Sequence, residues 1–369
     1  MRIAAYFFLT LLFLSSFAEK CPGQTRAEID SLYGVGSTMI GYRDDSTRYV
    51  GEQIIQESQS IGYALGVVRG EIVKGVGYLD LSILDSAAFM LLQAKNHAED
   101  LGSLTMEQGL ALNYLGEVYL QLNSLNQSLV NYQEALQVFD QLEEHRYRSN
   151  TTTNIGIIYL RQSDYPKALE YFTQAQKISL DENLGESRLP AAYTNTSIVL
   201  SRMGDTDQAL EFAKKALQID LKAQDSVGIC NSYSSVGGVF KRAGQLDSAI
   251  FYYELCLAIA QDQPIYRSIT RGAWVNIAEI YSQRENPREA NAILQRVEQR
   301  WRDQGSHNLE SVYNTIARNY LKLAAYDSAI LFAKKAYSMG IAQDVQLEIR
   351  DATESYWPDR SWASLMVSV

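Results

Sequence analysis

Six asparagines recur at similar offsets from a repeating small residue, and they are the side chains here best suited to holding another polypeptide. Asn154, Asn195 and Asn276 lie two positions before that residue, Asn113 and Asn314 three before it, and Asn231 six before it. A carboxamide both donates and accepts, so a series of them can hydrogen-bond an extended backbone whatever its sequence. The alternative is that the amides bridge neighbouring helices. Five positions after the small residue runs a basic row, Arg161, Arg202, Arg242 and Lys322, with Lys241 adjacent. On an acidic chain such a row can draw a carboxylate-rich segment, or it can simply complement the negative ends of the helices that carry it.

Covalent chemistry has no such support. The sequence holds no GxxxxGK[ST], HExxH or GxSxG motif, so the usual frames for phosphate binding, zinc hydrolysis and a nucleophilic serine are missing. His97, His145 and His307 are far apart and there is no CxxC pair, which leaves no metal-ligand spacing. The expectation is a protein that is not an enzyme and needs no cofactor. The formal net charge of −10 disfavours nucleic acid, whose phosphates call for clustered Lys and Arg.

The elements that position these residues follow from the repeat. The small residue stands at Gly75, Gly116, Gly156, Ser197, Gly237, Ala278 and Ala317, at steps of 41, 40, 41, 40, 41 and 39. Three positions on come Tyr78, Tyr119, Tyr159, Leu200, Phe240, Tyr281 and Tyr320; twelve on come Ala87, Ser128, Ala168, Ala209, Ala249, Ala290 and Ala329. Nineteen on come Ala94, Ala135, Ala175, Ala216, Cys256, Val297 and Ala336. A fixed period of this size marks stacked supersecondary units, here two amphipathic helices joined by a turn such as Ala243-Gly244-Gln245. Small residues let the two helices cross closely, and the aromatic three positions on is expected to fill the space they leave. Pro166 and Pro287 fall where second helices begin, and Pro190 where a first helix begins, positions that lose little from a missing N–H.

The series of small, aromatic, alanine and alanine positions, seen best in Leu115-Gly116-x-x-Tyr119 and Gly204-Asp205-x-x-x-Ala209, resembles the tetratricopeptide repeat family. The period is longer than the family's usual length of about 34 residues. It is similar to the extended variety found in bacterial regulatory proteins, including extracytoplasmic sensory regions of two-component histidine kinases. The resemblance implies an all-α, right-handed superhelix of about eight hairpins over residues 27–343. It also implies that first helices line a concave groove, which the asparagines and the basic row would face. The function implied is a non-catalytic scaffold binding a peptide or protein segment. The alternative is the sensory part of a transmembrane signalling protein without its kinase core.

The ends and the cysteines complete the reading. Residues 1–18 combine Arg2, a short apolar run and the small pair Ser16 and Ala18, which predicts a signal peptide, a linker over residues 19–26 and an exported, periplasmic or secreted protein with no membrane span after cleavage. A worn first repeat is expected around Val35, with Asp45 at a cap and Tyr49, Val50, Ile54 and Ile55 supplying an apolar face. Residues 344–369 begin a ninth first helix that fails at Trp357 and Pro358. Cys230 and Cys256 lie within one repeat, and because Cys256 takes an alanine's packing position the expectation is a pair of buried free thiols, although an exported location permits a disulfide.

Overall fold

The computed structural model describes residues 25–41, 45–260, 266–303 and 309–338. The predicted signal peptide and the interrupted ninth repeat lie outside these residues. Every regular element among the described residues is helical, and the chain divides into two compact units at Leu184 and Gly185. The first unit contains α1 (Arg26–Thr38), α2 (Ser46–Ser60), α3 (Ala64–Asp80), α4 (Leu84–Asp100), α5 (Met106–Gln121), α6 (Leu125–Gln141), α7 (His145–Arg161) and α8 (Tyr165–Asp181). The second contains α9 (Leu189–Met203), α10 (Thr206–Ala223), α11 (Ser226–Arg242), α12 (Leu246–Ala260), α13 (Arg267–Gln283), α14 (Pro287–Asp303), α15 (Glu310–Lys322) and α16 (Tyr326–Tyr337). Consecutive helices pair as hairpins, four to a unit.

The repeat positions explain the hairpins. All seven residues twelve positions after the small residue are fully buried. At two crossings the fit is close enough for a serine hydroxyl to donate to the facing backbone: Ser128 to the Gly116 carbonyl at 2.7 Å, and Ser197 to the Ala209 carbonyl at 2.7 Å. The residue that fills the space beside the small position is not the aromatic three residues on. It comes from the second helix, sixteen positions on. A Cβ added to Gly116 would lie 2.7 Å from the Tyr132 ring, one on Gly156 2.6 Å from Phe172, and one on Gly75 2.8 Å from Leu91. Where the small residue is Ser197 or Ala317, the corresponding residue shrinks to Ala213 or Ala333. The aromatic three positions on stays partly exposed and stacks on the second helix instead, Tyr159 on Tyr171 at 5.3 Å, Phe240 on Tyr252 at 5.5 Å and Tyr320 on Phe332 at 5.6 Å.

The seven hairpin turns from α3–α4 onward close the same way. The residue seven after the small position takes a left-handed conformation, at Ser82, Asn123, Ser163, Gly204, Gly244, Glu285 and Ala324. The following N–H then donates back to the carbonyl three after the small position, as in Ser124 to Tyr119 at 2.8 Å and Ala325 to Tyr320 at 2.9 Å. This is the Schellman closure, which occupies carbonyls the helix cannot satisfy itself. Only two of the seven are glycine, the residue that takes this conformation without steric cost.

Two further expectations need correction. In the first hairpin Val35 is exposed and its neighbour Gly36 is the buried small residue, against Val50 and Val73. Val50 and Ile54 of α2 are buried as expected, but Tyr49 points outward, and Asp45 makes no side-chain cap bond. Second, Cys230 and Cys256 are not free thiols: they form a disulfide between α11 and α12, with Cα atoms 4.4 Å apart. Both are fully buried. A pair of cysteines within bonding geometry satisfies both the packing demand and the bond.

Candidate functional site

In the first unit, the face made by the first helices is more occupied than the sequence suggests. Asn113 accepts from the Thr151 hydroxyl at 3.0 Å, tying α5 to α7. That is the bridging role. Asn154 is half-buried and makes no hydrogen bond among the described residues. Arg161, at the end of α7, donates to the Leu120 carbonyl at 2.7 Å, so it caps the C-terminus of the preceding first helix.

That unit also holds polar groups the repeat positions alone do not announce. Arg69 of α3 donates to Glu107 at 2.7 Å and Asp30 at 2.6 Å, while the Tyr63 hydroxyl donates to Asp30 at 2.9 Å. Glu107 is buried, and the two carboxylates hold the guanidinium in place. Tyr114 stands where the next repeat has Asn154, and burial pushes its hydroxyl up, so it remains a donor. Burial likewise raises the Glu117 carboxyl, with Asp80 adding to the shift.

In the second unit, Asn195 is half-buried and Asn231 exposed, neither with a hydrogen-bond partner among the described residues. Asn276 accepts from Lys241 Nζ at 2.8 Å, and the same ammonium is ion-paired with Glu279. Asn314 is buried at 8 % exposure and its Oδ1 has no partner among the described residues. Lys322 repeats the behaviour of Arg161, donating to the Ser282 carbonyl at 3.2 Å and its Oγ at 2.8 Å. Arg202 and Arg242 are exposed and form no ion pair among the described residues. The basic row therefore divides: Arg161 and Lys322 cap neighbouring helices, Lys241 is paired, and Arg202 and Arg242 point to solvent.

Three further polar groups of this unit lie on α11 and α12. Ser234 Oγ, Ser235 Oγ and the Tyr253 hydroxyl are buried without hydrogen-bond partners among the described residues. Burial, with the Glu279 carboxylate nearby, holds the Tyr253 hydroxyl above its ordinary pKa and so protonated. The sequence signal was present in the doubled glycine, Gly237-Gly238, of which only the first fits the repeat.

The arrangement can bind through hydrogen bonds and charge. Among the described residues, no three His, Cys, Asp or Glu side chains are grouped to hold a metal ion, and no helix is long and apolar enough to cross a membrane.

A family model described as Tetratricopeptide repeat matches residues 107–181 and 188–262. The chain is 24 % identical over 275 residues to Protein KINESIN LIGHT CHAIN-RELATED 2 of Arabidopsis thaliana, covering 66 % of this chain but only 37 % of that relative's length. Among solved structures it is similar to the apo form of the quorum sensor NprR from B. thuringiensis, with a TM-score of 0.62 at 12 % identity, covering 92 % of this chain and 93 % of that one. The Rap conjugation gene regulator of the plasmid pLS20, solved in complex with the Phr* peptide, gives 0.57 at 17 % identity, over 80 % and 78 % of the two chains. Likeness at these identities speaks for the fold.

Proposed function

We propose that the chain, a tetratricopeptide repeat protein by its family-model matches over residues 107–181 and 188–262, is an exported scaffold that binds an extended peptide segment in a groove lined by its first helices, without catalysis. The observation that carries this reading is the set of first-helix side chains able to bond but not engaged within the described residues: Asn154 in one unit, and Asn195, Arg202 and Arg242 in the other. Amides in such a series suit a peptide backbone, and exposed guanidinium groups suit its carboxylates. The pLS20 Rap regulator, which shares the fold, was solved with a peptide bound.

Export is supported by the signal-like residues 1–18 and by the buried Cys230–Cys256 disulfide, since such bonds persist in oxidising compartments. Two experiments test the reading. Panning the full chain against a random peptide display library should enrich binders whose affinity falls in Asn195→Ala and Arg202→Ala at unchanged helicity; no enrichment over a blank surface would sink it. N-terminal sequencing of protein from the exported fraction should begin after Ala18. Recovery only from the cytosol, with Met1 retained, would rule export out.

A further inference from the structure

Of the seven residues that directly follow the small position, only Glu117 and Glu279 are acidic. The second unit shows what such a glutamate holds. Lys241 of α11 reaches across to α13, where its ammonium donates to Asn276 Oδ1 at 2.8 Å and is ion-paired with Glu279. Asn276 and Glu279 are three positions apart and so share one face of α13. A cation therefore fits against the residues two before and one after the small position, and here the chain supplies that cation itself.

In the first unit the same two positions, on α5, are Tyr114 and Glu117. The residue of α3 equivalent to Lys241 is Leu79, buried and uncharged, and the next one is Asp80. Glu117 thus faces a second acid where Glu279 has an ammonium, and among the described residues it makes no hydrogen bond or ion pair. Both Glu117 and Tyr114 are half-buried, so each keeps part of its surface open to solvent. The nearby basic side chains are already engaged. Helix α5 carries no lysine or arginine. Those of α3 are paired, Arg69 with Asp30 and Glu107, and Lys74 with Glu52, while Arg161 of α7 donates to the Leu120 carbonyl. Taking a carboxylate partly out of water costs free energy that a cation offsets, and inside this unit none is left to do so.

The surroundings suit an organic cation. Burial first, and then Glu117, Tyr147 and Tyr33, push the Tyr114 hydroxyl up, so two further phenol groups lie within electrostatic reach of it. Aromatic faces attract ammonium and guanidinium groups. Tyr33 already does so, with the Arg69 guanidinium 5.1 Å from its ring centre.

We propose that Tyr114 and Glu117 receive one basic side chain of the bound peptide, its lysine ammonium or arginine guanidinium pairing with the Glu117 carboxylate against the Tyr114 ring, as Lys241 pairs with Glu279. The assignment rests on the peptide-binding reading above and adds the side-chain class that the first unit selects. Asp80 strengthens the choice, because a second negative charge at this point repels an acidic side chain.

The test pans the full chain against a random peptide display library, then synthesises one selected peptide in two forms, the parent and a copy with its recurrent basic residue replaced by norleucine. Both are titrated by fluorescence anisotropy into the wild type and Glu117→Gln. Selected peptides should share a lysine or arginine at one position. Norleucine there should weaken binding to the wild type about tenfold or more, the loss of a charged hydrogen bond, while Glu117→Gln should bind the two peptides within about twofold of each other. The variant should melt no lower than the wild type near neutral pH, because it relieves a carboxylate of burial, so affinity lost in it does not come from unfolding. Selected peptides with no shared basic residue would overturn this site and leave the peptide-binding reading standing. Norleucine that weakens both proteins equally would do the same, by placing the cation elsewhere, as would a lower melting temperature for Glu117→Gln, by giving the carboxylate a structural partner. A selection that yields no binding peptide overturns both.

Discussion

Cys230 and Cys256 occupy the same two repeat positions as Ser149 and Ala175, seven before and nineteen after the small residue, and in both pairs the first side chain also approaches the second residue's carbonyl oxygen, at 3.3 Å and 3.0 Å. In these two hairpins the position holds a small side chain that reaches the second helix, and in one of them two cysteines make that contact covalent.

Removing the bond should be costly in a readable way. With the cysteines 26 positions apart in sequence, the chain-entropy account gives about 3 kcal/mol. Cys230→Ser keeps a donor of the kind Ser149 supplies at the equivalent position, so urea unfolding should show a loss of about that size. Reductant should then shift the wild type and leave the variant unmoved. An equal shift in both would show that the crosslink does not contribute.

The crossing predicts a pair of coupled substitutions. Gly156→Ala places a methyl 2.6 Å from the Phe172 ring and should destabilise the protein by roughly 1–3 kcal/mol. Combining it with Phe172→Ala imitates the pairing of Ala317 with Ala333, so the double variant should lose less than the sum of the single losses. Strict additivity in thermal melts would argue against size matching.

The turns offer a gain. Ala324 holds φ at 54°, a conformation that costs an L-residue about 1–2 kcal/mol, and Gly204 and Gly244 show the alternative at equivalent positions. Ala324→Gly should raise stability by about 1 kcal/mol in denaturant unfolding, and a loss would contradict the turn geometry.

The basic row should separate by role. Arg161→Ala removes the bond to the Leu120 carbonyl and should cost about 1 kcal/mol without altering peptide affinity. Arg202→Ala should do the reverse. Melts and titrations on the same two proteins decide it, and a common response of both would deny the division.

Burial raises the Glu117 carboxyl, which fixes the sign of a pH dependence. A carboxyl whose folded pKa lies above its unfolded value favours the folded state at low pH, and that advantage is lost as pH rises through the folded pKa. Glu117→Gln removes the penalty, so its stability relative to the wild type should rise from pH 4 to pH 8. A flat difference would mean that Glu117 is not desolvated.

The fold was legible because its signals are sizes at a fixed period, and all seven Ala87-type positions are fully buried. The partner of the small residue was misread because Tyr78-type and Tyr132-type aromatics are equally periodic in sequence, and only the crossing shows that Tyr132 passes beside Gly116. The disulfide was hidden by a sound rule about packing, since Cys256 does fill an alanine position. The binding face was only half legible. Asparagine and arginine side chains are long enough to serve a neighbour or a ligand, and Asn113 and Arg161 turn to neighbours while Asn195 and Arg202 do not.

A hairpin closed on itself also has a mechanical meaning. Under tension, unravelling one hairpin should release about 40 residues, a contour gain of roughly 140 Å. The sixth hairpin cannot give up the residues between Cys230 and Cys256, a length of about 90 Å. A force trace would therefore carry one short step among longer ones. The bond acts as a stop that keeps α11 and α12 joined after neighbouring hairpins have let go.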